Sequence, residues 1–228
     1  MMGTKAPMPT IKAILWDNDG VLVDTEFLYR DATREVLATI GIELTDEQYR
    51  ELFLKQNNGA WHLAAERGYG ENEIAAMRRT RDERYSTLLA ARNHVIAGVE
   101  DVLKALHGRY AMGVVTSSQR THFDIIHAAT GLMRYFDFVL AREDYANSKP
   151  DPEPYLAGIA KTGFTAAECI AIEDTPRGLI AATAAGLRCI VVPNALTLGG
   201  DFKAAHKVLA HIRELPRLLA AAEQGAPV

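Results

Sequence analysis

The stretch Trp16-Asp17-Asn18-Asp19-Gly20-Val21 decides how this chain is read. It follows an apolar run, Ile11 to Leu15, with the composition of a short buried strand. Two carboxylates on alternate residues at the end of such a strand raise each other's pKa. A pair of that kind calls for a cation or for a reaction that uses it. Gly20 then permits a backbone turn where a side chain would clash. Taken alone, the segment also reads as an Asp-Asn-Asp-Gly turn with solvated carboxylates, because these residues are ordinary turn formers. The rest of the chain separates the two readings.

Outward from this segment, apolar runs at Ile11–Trp16, Ala111–Thr116, Phe136–Leu140, Cys169–Glu173 and Arg188–Pro193 alternate with helical patterns such as Ser118–Ala129, Pro152–Thr162 and Arg177–Ala185. The runs lack clean in–out alternation and read as strands apolar on both sides, as in a parallel sheet covered by helices on both faces. One interval breaks the rhythm. Between Asp24 and about Val95 no strand is convincing and helical periodicity takes over. Leu28, Ala32, Val36 and Ile40 recur every fourth residue, and Gly41 suits a helix C-terminus. Thr45 with Gln48 gives a capping-box pattern for a second helix. A third is expected from about Gly59 to Arg67, ended by Gly68, and a fourth from about Glu71 to Arg92. The expected fold is α/β. Residues 1–24 and 95–228 form a Rossmann-like parallel-sheet core, and residues 25–94 form an all-α cap inserted after the first strand. Hinges are expected near Val23–Thr25 and Asn93–Gly98, and the tail Gln224–Val228 reads as a frayed end.

The chain has 228 residues, 48% of them apolar and 24% charged, an ordinary balance for a soluble globular protein with a sizeable core. A formal net charge of -4 provides no broad basic field for nucleic acid. No apolar run reaches the ~18 residues of a membrane span. Met1 to Thr10 has no apolar region of the secretory type. Cys169 and Cys189 both border apolar runs and read as buried free thiols, in keeping with a cytoplasmic setting. A monomer is consistent with this composition.

In an open parallel sheet, ligands sit outside the carboxyl ends of the strands. Polar residues gather at those ends here. The first strand runs into Asp17 and Asp19, Gly113-Val114-Val115 into Thr116-Ser117-Ser118, and Cys169-Ile170-Ala171-Ile172 into Glu173-Asp174. A loop after Phe136–Leu140 supplies Lys149 before Pro150. Singly, Thr116 to Ser118 would serve as a helix cap and Lys149 as a solvated lysine. Together they suggest phosphoryl transfer. Asp17, Glu173 and Asp174 make an all-oxygen acidic set suited to Mg²⁺, and no Cys/His set with zinc spacing competes. Lys149, the Thr116 hydroxyl and backbone N–H groups near Ser117 would hold phosphate oxygens.

Four segments in this order resemble the motifs of the haloacid dehalogenase-like superfamily: Asp17-Asn18-Asp19-Gly20-Val21-Leu22-Val23-Asp24-Thr25-Glu26, Val115-Thr116-Ser117-Ser118, Ser148-Lys149-Pro150-Asp151-Pro152, and Ile172-Glu173-Asp174-Thr175-Pro176-Arg177-Gly178. The helical insertion after the first motif is similar to the cap of the β-phosphoglucomutase and phosphoglycolate phosphatase branch. The resemblance implies Asp17 as nucleophile, forming an aspartyl-phosphate, and Asp19 as general acid and then general base. It implies Mg²⁺ bound by Asp17, the backbone carbonyl of Asp19 and Asp174, with Glu173 nearby through water. Thr116, Ser117 and Lys149 would face the phosphate. An acidic Asp19 points to phosphate esters of a small metabolite rather than to carbon–halogen bonds. In the mutase branch a His follows the linker Thr by four residues; here Thr25 is followed by Tyr29, which favours a phosphatase over a mutase. A non-catalytic phosphometabolite-binding protein is the third reading, and intact Asp17 and Asp19 argue against it.

The loop Lys55-Gln56-Asn57-Asn58-Gly59 joins two expected cap helices. It reads either as a substrate-facing loop, with Lys55 as a binding residue, or as a solvated turn. Trp61 and His62 read as cap packing, and the run Met77 to Arg84, with four arginines, as a solvated helical face. Arg120 and Arg177 begin helices after two motif loops and read equally as structural or as oxygen-binding residues. His94, His107, His122, His127, His206 and His211 show no ligand spacing with carboxylates.

Overall fold

The computed structural model describes residues 10–223, so the expectations for the segment before Thr10 and for the tail Gln224–Val228 lie outside the described residues. The strand before Asp17 is β1 (Ala13–Trp16), and it lies at the centre of a six-stranded sheet with order β3-β2-β1-β4-β5-β6. The other strands are β2 (Ala111–Val115), β3 (Phe138–Leu140), β4 (Cys169–Glu173), β5 (Arg188–Val191) and β6 (Lys207–Val208), and every pairing is parallel. This is the Rossmann-like core that the alternation predicts. The chain winds outward through β2 and β3 on one side of β1 and through β4, β5 and β6 on the other. The direction reverses at β1, and a crevice at such a point opens at the carboxyl ends of the strands.

Register aligns those ends. Trp16 lies opposite Val114 on β2 and Ile172 on β4, so the residues that follow all three strands emerge at one level. Alternate side chains go to opposite faces. Ile14, Trp16, Ile170 and Ile172 join one core, and Ala13, Leu15, Cys169 and Ala171 join the other. Both faces are dry: all four β1 residues have no exposed surface, and burying one large aliphatic or aromatic side chain contributes about 1.5–3 kcal/mol. Cys169 and Cys189 are buried and free.

Between β1 and β2 the chain forms α1 (Glu26–Thr39), α2 (Asp46–Tyr49), a π-helical turn (Arg50–Lys55), α3 (Trp61–Glu66) and α4 (Glu71–Ala90). The Leu28–Ala32–Val36 stripe of α1 is buried as its spacing requires, and Gly41, at φ +71, turns the chain after it. Thr45 and Gln48 form both halves of the capping box. Val36, Leu37, Tyr49, Leu54, Trp61 and Ala64 share a core of their own, separate from the two sheet cores. The connections into and out of this segment run side by side. Val23 bridges Val95 in antiparallel fashion, Asp24 N–H donates to the His94 carbonyl at 2.8 Å, and Ile96 N–H donates to that of Leu22 at 3.1 Å.

Beyond it come α5 (Val99–Leu106), α6 (Arg120–His127), α7 (Glu153–Thr162), α8 (Pro176–Ala184) and α9 (Leu215–Glu223). Leu103 of α5, Phe123 of α6 and Leu219 of α9 pack on the face of Ile14 and Trp16. Tyr155 of α7 and Leu179 of α8 pack on that of Leu15. Strand β6 has no counterpart in the sequence reading: two exposed residues are too short to show a pattern. Among the described residues, no helix is long and apolar enough to cross a membrane.

Candidate active site

The four motif segments converge at the carboxyl ends of β1, β2 and β4. Asp17 continues β1, its N–H donating to the Ile172 carbonyl at 2.9 Å. Carboxylate oxygens of Asp17, Glu173 and Asp174 lie within 4.8 Å of one another, all in buried residues. At an effective dielectric of ~20, two unit charges at that distance repel by roughly 3–4 kcal/mol. Burial, then the nearby Glu173, pushes the Asp17 carboxyl up to about 7. Burial and the charges of Asp17 and Glu173 push Asp174 well above the usual carboxylate range.

Lys149 meets part of this charge. Its ammonium donates to Asp17 Oδ1 at 2.9 Å, Glu173 Oε1 at 2.7 Å and the Val115 carbonyl at 2.9 Å, so all three of its N–H groups are engaged. The two carboxylates hold Lys149 above its ordinary pKa against the effect of burial. Glu173 is saturated as well. Oε1 also accepts from Tyr155 Oη at 2.6 Å, and Oε2 accepts from Asp174 N–H at 3.2 Å and Thr175 Oγ1 at 3.3 Å. Despite its burial, Lys149, the Tyr155 hydroxyl and the charge of Arg177 lower its pKa. Asp174 differs. Oδ2 accepts from Asn194 Nδ2 at 2.7 Å, but Oδ1 is buried and has no hydrogen-bond partner. Three carboxylates share one lysine, with one bare oxygen among hard donors. The donor set fits a divalent cation such as Mg²⁺.

Backbone shape makes the room. Gly20 sits at φ +83, and a Cβ there would lie 2.2 Å from Asp174 Oδ2. A Cβ at Gly178 would lie 2.0 Å from the Glu173 carboxylate. Both positions exclude any side chain.

Asp19 faces the cavity from the other side. Its Oδ2 accepts from Ser118 Oγ at 2.6 Å, Asn18 Nδ2 at 3.2 Å and, weakly, Thr116 Oγ1 at 3.4 Å, while Oδ1 accepts from Thr25 Oγ1. Thr116 Oγ1 also caps the following turn, accepting from Ser118 N–H at 3.0 Å. Thr116 and Ser117 line, with Asp17 and Asp19, a cavity of about 410 Å³.

The wall opposite the sheet comes from the helical insertion: Glu26, Tyr29, Phe53, Asn57, Arg78 and Asp82. The loop after the π-helical turn therefore reaches the cavity through Asn57. Lys55 does not line it; this ammonium pairs with Glu51 at 2.7 Å over a separate depression. Asn57 Oδ1 accepts from Arg177 Nη1 at 2.8 Å, a bridge from the insertion to the first turn of α8. The arginine-bearing run on α4 is not uniformly solvated. Arg84 pairs with Glu35 at the surface, but Arg81 is buried over the Tyr29 ring at 4.3 Å, and Arg78 and Asp82 border the cavity. The weak apolar periodicity of α4 hides this, because a buried arginine counts as polar in any such pattern. Trp61 is buried in the insertion's core and His62 is exposed.

Sheet order, motif placement and this acidic centre define a hydrolase of one class, and the chain belongs to it: a family model described as haloacid dehalogenase-like hydrolase matches residues 14–192. Among particular relatives, the chain is 31% identical to protein CbbY of Rhodobacter capsulatus, over 95% of this chain and 98% of that protein. It is 30% identical to the fructose-1-phosphate phosphatase YqaB of Escherichia coli, over 78% and 95% of the two chains. The crystal structure of CbbY from Rhodobacter sphaeroides in complex with xylulose-(1,5)bisphosphate superimposes with a TM-score of 0.77 at 29% identity, covering 90% of this chain and 96% of that one.

Proposed function

We propose that this protein is a Mg²⁺-dependent phosphatase that hydrolyses a small phosphorylated sugar or related metabolite through an aspartyl-phosphate on Asp17. The observation that supports it most directly is the cluster of three buried carboxylates offset by a single lysine, with Asp174 Oδ1 left bare. Asp17 and Asp174 would hold the cation directly, together with the Asp19 carbonyl. The saturated Glu173 would act as the counter-charge of Lys149 rather than as a direct ligand. When bound, the cation would neutralise the site and lower the repulsion between the Asp17 carboxylate and an anionic phosphate.

The residues divide the chemistry between them. Lys149 fixes one oxygen of Asp17, leaving the other to attack phosphorus. The bond from phosphorus to the ester oxygen breaks as the Asp17–phosphorus bond forms, and a protonated Asp19 gives its proton to the departing oxygen. Asp19, now anionic, takes a proton from water as that water attacks phosphorus, releasing phosphate and restoring Asp17. Thr116 and Ser117 face the phosphate. Lys149 would reach a phosphate oxygen only by sharing an N–H already given to Asp17, Glu173 or Val115.

Relatives named for fructose-1-phosphate and bound to xylulose-(1,5)bisphosphate support a sugar phosphate as substrate. The cavity favours the same chemistry, because Glu26, Asn57, Asp82 and His122 offer donors and acceptors suited to hydroxyl groups. Tyr29 supports water rather than a second sugar hydroxyl as the acceptor. Burial raises its pKa, so it exchanges no proton near neutral pH. The test is phosphate release from a panel of sugar phosphates and from 4-nitrophenyl phosphate, with and without Mg²⁺. Turnover that requires Mg²⁺ and disappears in Asp17→Asn is expected. Undiminished turnover in that variant would remove Asp17 from its role, and no turnover on any substrate would favour a binding protein.

A further inference from the structure

Asn18 stands between the two aspartates but points away from the cavity. It is fully buried, and its Oδ1 lies 2.8 Å from His127 Nε2 on α6. His127 Nδ1 lies 3.0 Å from Thr130 Oγ1. The partners fix the polarity of this chain. The Asp19 carboxylate only accepts, so the Asn18 amide must turn its NH₂ towards it, as the 3.2 Å contact to Oδ2 requires. Asn18 Oδ1 then faces His127 and needs a donor, so the imidazole carries its proton on Nε2. Nδ1 accepts in turn, from the Thr130 hydroxyl. That hydroxyl has its hydrogen free for this, because its oxygen accepts from Leu132 N–H at 3.3 Å. Burial holds His127 down to about 4, which keeps the ring neutral and Nδ1 able to accept.

We infer that His127 is a positioning residue for Asp19, acting through the Asn18 amide. The inference rests on the phosphatase reading, in which Asp19 protonates the leaving oxygen. Oδ2 of Asp19 receives Asn18, Ser118 and Thr116, while Oδ1 has the Thr25 hydroxyl, which can turn to accept. The Asn18 amide is thereby one of three side-chain donors that hold Oδ2 and set the orientation of the Asp19 carboxyl group. Loss of the His127 donor frees the Asn18 amide to flip. Its carbonyl would then face Oδ2 and turn the Asp19 carboxyl group out of the orientation that the three donors set. His127 touches neither substrate nor Asp19, so its effect should scale with how much acid assistance the leaving group needs.

The test is kcat/KM on substituted phenyl phosphates, from 4-nitrophenyl phosphate, whose leaving group departs unaided, to phenyl phosphate, whose leaving group needs a proton. This parameter reports the step in which the ester bond breaks. His127→Leu is expected to lose about tenfold on phenyl phosphate, the scale of one hydrogen bond to a charged group, and to stay within about twofold on 4-nitrophenyl phosphate. His127→Gln, which retains an N–H for Asn18 Oδ1, should restore the wild-type leaving-group dependence. Thr130→Val, at a half-exposed site, should steepen that dependence in the same direction and decides the matter if His127→Leu does not fold. An equal loss across the series, or an unchanged dependence in the folded variants, would overturn the inference and leave the phosphatase reading intact. A wild type that releases phosphate from no member of the series would overturn both.

Discussion

The Lys149 ammonium lies 2.9 Å from Asp17 Oδ1 and the lysine side chain is 2% exposed, so the two residues form one buried ion pair. The same ammonium holds Glu173 at 2.7 Å, which makes it the only charge of its sign in direct contact with the acidic cluster among the described residues. Removing one partner of such a pair leaves uncompensated buried charge, at a cost of about 3–5 kcal/mol. Lys149→Met is expected to lower stability by that order in the absence of divalent cation, read by urea denaturation. It should also lower kcat by at least about a hundredfold, as loss of a preorganised electrostatic contact does.

The raised pKa values give a signed pH dependence. Asp17 titrates at about 7 in the folded protein, and Asp174 is shifted upward too. For Asp17, between the unfolded value near 4 and about 7, the folded state holds more protons, so its contribution to stability is full at the acid end and is lost as pH rises through about 7, and Asp174 acts in the same direction. Glu173 runs the other way, its contribution lost only as pH falls below the ordinary carboxylate range. A divalent cation held by Asp17 and Asp174 would compete with their protons. The rise in Tm on adding Mg²⁺ should therefore be larger at about pH 8 than at about pH 5. An equal rise at both would place cation binding elsewhere.

Gly178 offers a steric test. A methyl group there would meet the Glu173 carboxylate at 2.0 Å, and Glu173 cannot retreat without releasing Lys149 and Tyr155. Gly178→Ala should cost about 1–3 kcal/mol, the range for overpacking, and lower activity with it, even though alanine favours helix at an ordinary position. Gain of stability in a thermal melt would contradict this geometry.

The Arg177–Asn57 bridge spans the sheet side and the insertion. Exposed polar contacts contribute about 0–1 kcal/mol, so Asn57→Ala should barely change Tm. If the insertion closes over the substrate, the same variant should raise KM several-fold while leaving phosphate release from 4-nitrophenyl phosphate nearly unchanged. An equal loss of kcat/KM on the sugar phosphate and on 4-nitrophenyl phosphate would make Asn57 a general structural residue.

The sheet core was legible because its signals are local. Cys169–Glu173 is the observed strand to the residue, and the Thr45–Gln48 capping box forms as written. The acidic centre was legible because its carboxylates follow β1 and close β4, and parallel topology aligns those strand ends. What stayed hidden depends on tertiary placement. Lys55 ends the π-helical turn and Asn57 lies two residues on, and no periodicity says which of them faces the cavity. His127 lies 109 positions from Asn18, with no spacing rule to link them. Arg81 looks like one more solvated arginine until Tyr29 and Trp61 close over it.

The side-by-side pairing of Val23 with Val95 means that the helical segment leaves and rejoins the sheet through adjacent doorposts. Its two ends are already together, so exchanging what lies between them adds little loop-closure entropy to the framework. Asp17, Asp19, Lys149 and Asp174 all stay with the framework, whereas Glu26, Tyr29 and Asn57 travel with the exchanged piece. On the proposed function, substrate preference would thus be a detachable property of this architecture. A graft of another relative's helices between Asp24 and His94 should import that relative's preference while the Asp17 chemistry persists.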